Sequence, residues 1–146
     1  MVNETISPPE SGGNNVTATT AHAQRTILFV DDERDIVTLV RTALERQGYD
    51  VLSATCGQSA MQVFSEHHDE LDCVILDVKL PDTSGGELMD RMLAVNPAVP
   101  VIITSGYDRS RVEDVLDAGA AGFLAKPFDF SMLCMKLKET IAPATM

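Results

Sequence analysis

Basic residues are scarce in this sequence. Its 146 residues include 11 Lys and Arg against 22 Asp and Glu, for a formal net charge of −11 at pH 7. Nucleic-acid binding depends on clustered cations that neutralise phosphates, so we expect no nucleic-acid partner. The same charge opposes docking on anionic membranes. Apolar runs are also short, well below the roughly 20 residues that a membrane-spanning helix needs, so we expect no membrane association either.

Cysteine is rare as well. Cys56, Cys73 and Cys134 are far apart, form no CxxC pair and have no neighbouring His. These spacings exclude the usual zinc sites and a disulfide framework. The N-terminus also lacks the basic and apolar segments of a secretory signal. We therefore expect reduced thiols, at least two of them buried in the core, in a cytoplasmic protein.

The composition divides the chain into two parts. Residues 1–24 are rich in Ser, Thr, Asn, Gly, Pro and Ala, contain no Lys or Arg and show no periodic apolar pattern. We interpret them as a disordered N-terminal tail. The pattern becomes periodic from Arg25 onward, and its length suits one domain with one core. We place that domain at residues 25–142.

Short apolar runs alternate with amphipathic stretches in this domain. Runs such as Cys73–Leu76 and Val101–Ile103 are typical of strands that are buried on both faces, whereas the more polar segment Tyr49–Ala54 suits an edge strand. Apolar residues recur at helical spacing between the runs. For the first helix they are Ile36, Leu39, Val40, Ala43 and Leu44. Five strands and five helices in alternation predict an α/β fold, with a parallel sheet between two layers of helices.

Polar residues follow the buried runs, at the points where the predicted strands end. They are Asp31 and Asp32 after the first run, Asp77 after the third, Thr104 and Ser105 after the fourth, and Lys126 and Pro127 after the fifth. In an open α/β sheet the carboxyl ends of the strands form the ligand-binding crevice. We therefore expect these residues to meet in one site.

Three carboxylates and a lysine in one crevice indicate phosphoryl chemistry. Asp31, Asp32 and Asp77 repel one another, and a hard cation with oxygen ligands, such as Mg²⁺, relieves that repulsion. Asp77 can then attack phosphorus and form an acyl phosphate. Lys126 and a hydrogen bond from Ser105 can offset charge on the phosphoryl oxygens. Each residue alone also fits a helix cap or a solvated surface, but their joint position after four different strands favours a common site.

Four stretches of the chain, in order, resemble the receiver domain of bacterial two-component response regulators. They are residues 27–33 (ILFVDDE), 74–85 (VILDVKLPDTSG), 100–107 (PVIITSGY) and 117–128, which begins DAGA and ends KPF. Together they span nearly all of the predicted domain. The resemblance implies a flavodoxin-like, doubly wound sheet of five parallel strands in the order 2-1-3-4-5, with five helices in a three-layer α/β/α arrangement.

The resemblance also implies a role for each acidic residue. Asp77 would be the phosphoryl acceptor. Asp32 and Asp77 would bind Mg²⁺ directly, Asp31 mostly through water, and the backbone carbonyl of Lys79 would complete the protein ligands. The side chain of Lys79 would lie over the site, where it either attracts the phosphoryl group, crowds a hydrolytic water or remains solvated.

The remaining roles fall on the fourth and fifth strands. Lys126, joined to Pro127 by a cis peptide bond, would contact the phosphoryl group. Ser105 would be the hydroxyl that moves toward that group, with Thr104 as the alternative. Phe123 would be the aromatic residue that swings into the vacated space, or else an ordinary core residue.

The implied function is a two-state switch. A sensor histidine kinase or a histidine phosphotransfer protein would donate its phosphoryl group to Asp77. The face formed by the fourth helix, fifth strand and fifth helix would then bind a downstream protein target differently. We expect a stand-alone receiver that catalyses only its own phosphorylation and dephosphorylation. The resemblance is also compatible with a dimer that forms on phosphorylation.

Other functions use parts of this pattern. Hydrolases of the haloacid dehalogenase type need a second Asp two residues after the nucleophile, where this chain has Lys79. A dinucleotide-binding domain needs a GxGxxG motif after its first strand, and none follows here. A degenerate receiver that serves as a constitutive protein-binding module is the remaining alternative. The loss of Asp77, Lys126 or one of the acidic pair would indicate it, and this chain retains all of them.

Overall fold

The computed structural model describes residues 24–106 and 112–141. Within them, strands and helices alternate as predicted. The strands are β1 (Thr26–Val30), β2 (Asp50–Ala54), β3 (Cys73–Asp77), β4 (Val101–Ser105) and β5 (Gly122–Ala125). The helices are α1 (Arg34–Arg46), α2 (Gly57–His67), α3 (Gly85–Val95), α4 (Val112–Asp117) and α5 (Phe130–Thr140). Apart from Gln24, the predicted disordered tail lies outside the described residues, as does Tyr107 of the third resembling stretch.

The strands form one sheet in the order β2-β1-β3-β4-β5, and each pairing is parallel. The predicted order and edge position of β2 are therefore confirmed. Val30 lies opposite Leu76, and Asp77 lies opposite Thr104. Because strand order reverses between β1 and β3, the residues that follow these two strands border the crevice at the carboxyl edge.

Helices cover both faces of the sheet, which explains the continuous apolar runs. Successive strand residues point to opposite faces. Leu28, Val74, Leu76 and Ile103 pack with α2 and α3. Ile27, Phe29, Ile75 and Ile102 pack with α1 and α5. The three-layer arrangement is thus confirmed, and no helix among the described residues is long and apolar enough to cross a bilayer.

The predicted apolar face of α1 was wrong at Leu39. Its side chain is 67% exposed, and the buried residues of the helix are Val37, Val40 and Leu44. Leu39 lies about 200° around the helix from Val37, because successive residues are about 100° apart. The helix is therefore rotated relative to the predicted stripe, and Leu39 contributes an apolar side chain to the surface instead of the core.

The cysteines lie largely where they were predicted. Cys73 is completely buried in β3, and Cys134 packs, partly buried, against the core beneath α5. Cys56 has a different position, as the N-cap of α2, where its sulfur accepts a hydrogen bond from the backbone N–H of Ser59. All three are free thiols.

Candidate functional site

The three predicted carboxylates meet at the carboxyl edge of β1 and β3. Asp31 directly follows β1, and Asp77 is the last residue of β3. One carboxylate oxygen from each of Asp31, Asp32 and Asp77 lies within 4.8 Å of the other two. Asp31 is completely buried and Asp77 is 6% exposed, whereas Asp32 is exposed. The cluster therefore has a buried base and an open side that faces solvent.

Helix capping does not account for these acidic residues. Glu33 occupies the N-cap position of α1, but its side chain makes no capping hydrogen bond. Asp31 instead accepts the backbone N–H of Glu33 at 3.0 Å through its Oδ1. This bond orients the buried carboxylate and leaves its Oδ2 directed to another partner.

That partner is Lys126, which directly follows β5. Its Nζ lies 2.8 Å from Oδ2 of Asp31 and 3.0 Å from Oδ2 of Asp77. The backbone N–H of Lys126 donates to the carbonyl of Ser105 at 2.8 Å, which extends the pairing of β5 with β4. The peptide bond between Lys126 and Pro127 is cis, as the resemblance implies. One ammonium group thus joins two of the three carboxylates.

Burial and hydrogen bonding act in opposite directions in this pocket. Burial raises the pKa of Asp77 above its ordinary value, although hydrogen bonds from Lys126 and from the backbone of Lys79 partly oppose it. Burial lowers the pKa of Lys126, but its bonds to Asp31 and Asp77 outweigh that effect, so its pKa is raised. Lys126 therefore stays cationic at neutral pH. Three carboxylates against one ammonium leave excess negative charge on oxygen ligands, a donor set that fits a hard divalent cation such as Mg²⁺.

The segment after Asp77 lies along one side of this pocket. Oδ1 of Asp77 accepts the backbone N–H of Lys79 at 3.2 Å. Lys79, Leu80 and Pro81 line an open cleft of about 510 Å³ together with Asp32, Asp77, Gly106 and Lys126. The backbone of Lys79 is therefore beside the carboxylate of Asp77, and the residue lines the cleft.

Gly85 shapes this segment, and the sequence analysis assigned it no role. A Cβ at this position would lie 2.6 Å from the carbonyl oxygen of Asp77 and 2.7 Å from Cα of Val78. The N–H of Gly85 also donates to the carbonyl of Val78 at 2.8 Å. The start of α3 can thus approach the end of β3 only if residue 85 is glycine. The glycine at the end of the stretch 74–85 was the available signal.

The predicted switch residues lie beside the acidic pocket. Ser105 ends β4 and is nearly buried, and Thr104, also buried, lies opposite Asp77 in the sheet. Phe123 of β5 is partly buried and lies outside the acidic cleft. It lines a groove of about 630 Å³ between α3 and α4, which Ser105 and Lys79 also line. The structure thus brings Ser105 and Phe123 to a common groove next to the carboxylates.

Comparisons with known proteins agree with this architecture. The family model described as response regulator receiver domain matches residues 27–138. The response regulator SaeR of Staphylococcus epidermidis is 32% identical over 117 residues, which cover 80% of this chain and 50% of SaeR. This chain thus spans about half the length of that relative.

Solved structures show the same similarity. A response regulator receiver domain protein from Clostridium thermocellum superposes with a TM-score of 0.77 at 30% identity, covering 80% of this chain and 94% of that one. A CheY-like receiver domain protein from Methanospirillum hungatei superposes with a TM-score of 0.73 at 29% identity, with 80% and 93% covered. The family model matches well over half of the chain. The chain therefore belongs to the response regulator receiver domain family.

Proposed function

We propose that this receiver domain accepts a phosphoryl group on Asp77 and thereby changes how it binds a partner protein. The observation that carries the proposal is the position of Asp77, whose carboxylate lies among those of Asp31 and Asp32 and is hydrogen-bonded to Lys126. Receiver domains are signalling modules. We expect this one to catalyse only its own phosphorylation and dephosphorylation, within a domain that spans residues 25–142.

The residues of the pocket divide the chemistry among them. A carboxylate oxygen of Asp77 attacks phosphorus, and the donor's histidine nitrogen leaves with the electron pair of the broken P–N bond. Asp32, Asp77 and the backbone carbonyl of Lys79, with Asp31 mostly through water, would hold Mg²⁺, which would supply positive charge that offsets the charge on the phosphoryl oxygens. Lys126 can turn from Asp77 to a phosphoryl oxygen and keep its hydrogen bond to Asp31.

We propose that Ser105 and Phe123 transmit the modification. The Ser105 hydroxyl moves toward the phosphoryl group, and Phe123 takes up the space that this movement leaves. Their shared groove supports the pairing, because one side chain can shift only where the other makes room. Ser105 is preferred to Thr104 because Ser105 lines that groove. The face formed by α4, β5 and α5 would then present a changed surface to a downstream target.

An apolar surface beside the pocket supports docking of the phosphoryl donor. Ile36, Leu39, Pro127 and Phe128 line a groove of about 360 Å³ that also includes Lys126. Leu39 is the most exposed large apolar side chain of the described residues, and exposed apolar patches commonly mark protein contacts. We propose that a sensor histidine kinase or a histidine phosphotransfer protein docks here. We place this reaction in the cytoplasm, without a nucleic-acid or membrane partner. The proposal is also compatible with a dimer that forms on phosphorylation.

Intact-protein mass after incubation with acetyl phosphate tests the proposal. Wild type, Asp77→Asn and the control Asp72→Asn are incubated with Mg²⁺ or with EDTA. We expect one Mg²⁺-dependent phosphoryl adduct in wild type and in the control, and none in Asp77→Asn. An adduct in Asp77→Asn would move the acceptor elsewhere. No adduct in wild type, together with no binding of fluoroberyllate, would favour the constitutive binding module.

A further inference from the structure

Asp82 links the segment after Asp77 to the first turn of α2. Its Oδ1 accepts the backbone N–H of Gly57 at 2.7 Å, and its Oδ2 accepts that of Gln58 at 2.9 Å. These donors are 25 and 24 residues away along the chain. The two hydrogen bonds lower the pKa of the Asp82 carboxyl, so it is ionised at neutral pH. Asp82 therefore forms a tertiary contact and not a local turn.

The first turn of α2 lacks such an acceptor in its own sequence. Backbone N–H groups at a helix N-terminus have no partner within the helix, and negative charge stabilises that end. The first turn of α2 contains no acidic residue. Its N-cap is Cys56, whose sulfur accepts the N–H of Ser59 at 3.5 Å, and a thiol is only a weak acceptor. Asp82 thus supplies from another segment the oxygen atoms and the charge that α2 lacks.

Close packing joins the same two segments. Gly57 is buried, and a Cβ at this position would overlap Cγ2 of Thr83, the neighbour of Asp82. The absence of a side chain at residue 57 therefore allows α2 to approach the segment. The hydrogen bonds of Asp82 and this packing act at adjacent residues and on the same turn of helix.

The segment that Asp82 anchors also forms one wall of the acidic pocket. Lys79 and Leu80 line the cleft with Asp77, and the N–H of Lys79 donates to Asp77. Within the segment, the backbone N–H of Leu80 donates to Thr83 over 3.3 Å, a long hydrogen bond. Asp82 lies between Leu80 and Thr83, at the exposed tip of the segment. A change in its position would therefore reach the backbone of Lys79 within three residues.

We propose that Asp82 is a positioning residue for the metal pocket, whose two hydrogen bonds to α2 hold residues 78–84 and so fix the backbone of Lys79 beside Asp77. The inference rests on the proposed function, in which the carbonyl of Lys79 is a ligand of Mg²⁺. Asp82 supports that ligand from outside the pocket. Loss of such support typically lowers metal affinity by about 10- to 100-fold, and we expect about 10-fold here because the effect passes through the backbone.

Calorimetric titration of Mg²⁺ into the unphosphorylated full chain tests this role. We expect the Kd for Mg²⁺ to rise by about 10-fold in Asp82→Ala and by less in Asp82→Asn, which keeps one oxygen acceptor. Gln58→Pro removes one donor from the opposite side of the contact, in the first helical turn, where the backbone N–H makes no hydrogen bond within the helix. It should raise the Kd in the same direction. If Asp82→Ala does not fold, Asp82→Asn and Gln58→Pro still test the proposal.

Asp72→Ala is the matched control. Asp72 also accepts a backbone N–H from another segment, that of Thr26 at 2.8 Å, but at the opposite end of the sheet. We expect this variant to lose stability and to keep its Mg²⁺ affinity. An equal loss of affinity in Asp72→Ala would overturn the inference, because general destabilisation would then explain both effects.

The same experiment separates this inference from the proposed function when acetyl phosphate labelling accompanies it. Unchanged Mg²⁺ affinity in the Asp82 and Gln58 variants, with wild type labelled at Asp77, would overturn the role of Asp82 alone. A wild type that binds Mg²⁺ but is neither labelled by acetyl phosphate nor able to bind fluoroberyllate would overturn the proposed function, while weaker Mg²⁺ binding in the variants would still support the positioning role. A wild type that does not bind Mg²⁺ would overturn both.

Discussion

The ammonium group of Lys126 lies 2.8 Å from Oδ2 of Asp31, whose side chain is completely buried. These two residues are 95 positions apart in the chain. Burial of a carboxylate is costly unless a cation or hydrogen bonds compensate it. Lys126 supplies that compensation and is also 3.0 Å from Asp77. The same contact thus compensates a buried carboxylate and holds an ammonium group beside Asp77, the acceptor in the proposed function.

Substitution of Lys126 should therefore destabilise the metal-free protein. Lys126→Met removes the hydrogen-bonded cation from both Asp31 and Asp77. We expect the free energy of unfolding to fall by about 2 kcal/mol, less than for a fully buried pair because Lys126 is partly exposed. Urea unfolding in EDTA measures this change in the free energy of unfolding. Lys136→Met is the control, since its surface pair with Glu139 should contribute less than about 1 kcal/mol. Equal stability of wild type and Lys126→Met would contradict the prediction.

The raised pKa of Asp77 predicts a pH dependence of stability. A pKa that is higher in the folded state means that folding disfavours the ionised carboxylate, so wild type loses stability as pH rises through that value. Asp77→Asn has no such group. Without metal, we expect Asp77→Asn to be more stable than wild type at pH 7, and the difference to vanish below the ordinary Asp pKa of 3.8. Urea midpoints measured from pH 3 to 8 in EDTA would test this, and a difference that does not vary with pH would contradict it.

Two adjacent glycines offer a matched test of the close approach at Asp77. We expect Gly85→Ala to lower the free energy of unfolding by about 1–3 kcal/mol, since its Cβ would press on the backbone of Asp77 and Val78. Gly86→Ala should instead stabilise by about 0.5–1 kcal/mol, because nothing lies within 4 Å of its Cβ and alanine favours the helix. Thermal unfolding of both variants measures the difference. Similar effects of the two substitutions would remove the special role of Gly85.

The exposed position of Leu39 predicts a defect that depends on the donor. Leu39→Asp should slow transfer from a phosphorylated histidine phosphotransfer domain by about 10-fold, the cost of losing one strong interface contact. Labelling by acetyl phosphate should not change, because Asp77 and its partners are untouched. Met135→Asp is the control, since Met135 is 62% exposed on α5, away from the groove beside Lys126. If Leu39→Asp slowed labelling by acetyl phosphate as much as transfer from the phosphotransfer domain, this result would contradict docking at Leu39.

The sequence alone determined the architecture and the residue types of the site. Runs such as Cys73–Leu76 are apolar throughout because helices cover both faces of the sheet, and this leaves a pattern that can be read without coordinates. Asp31, Asp77 and Lys126 were predicted to meet because parallel strands end at one edge of a sheet. Such features depend on local periodicity and on position within an element, and both are properties of the sequence.

Only the tertiary structure decided which side chains touch and which face of a helix is buried. The rotation of α1 follows from its packing on the sheet, so Leu39 is exposed although it fits the helical stripe. The bonds of Asp82 to α2 and the approach of Gly85 to Asp77 depend on how segments that are distant along the chain, or separated by a loop, come together. Local periodicity carries no information on these contacts, because they arise when complete elements pack against one another.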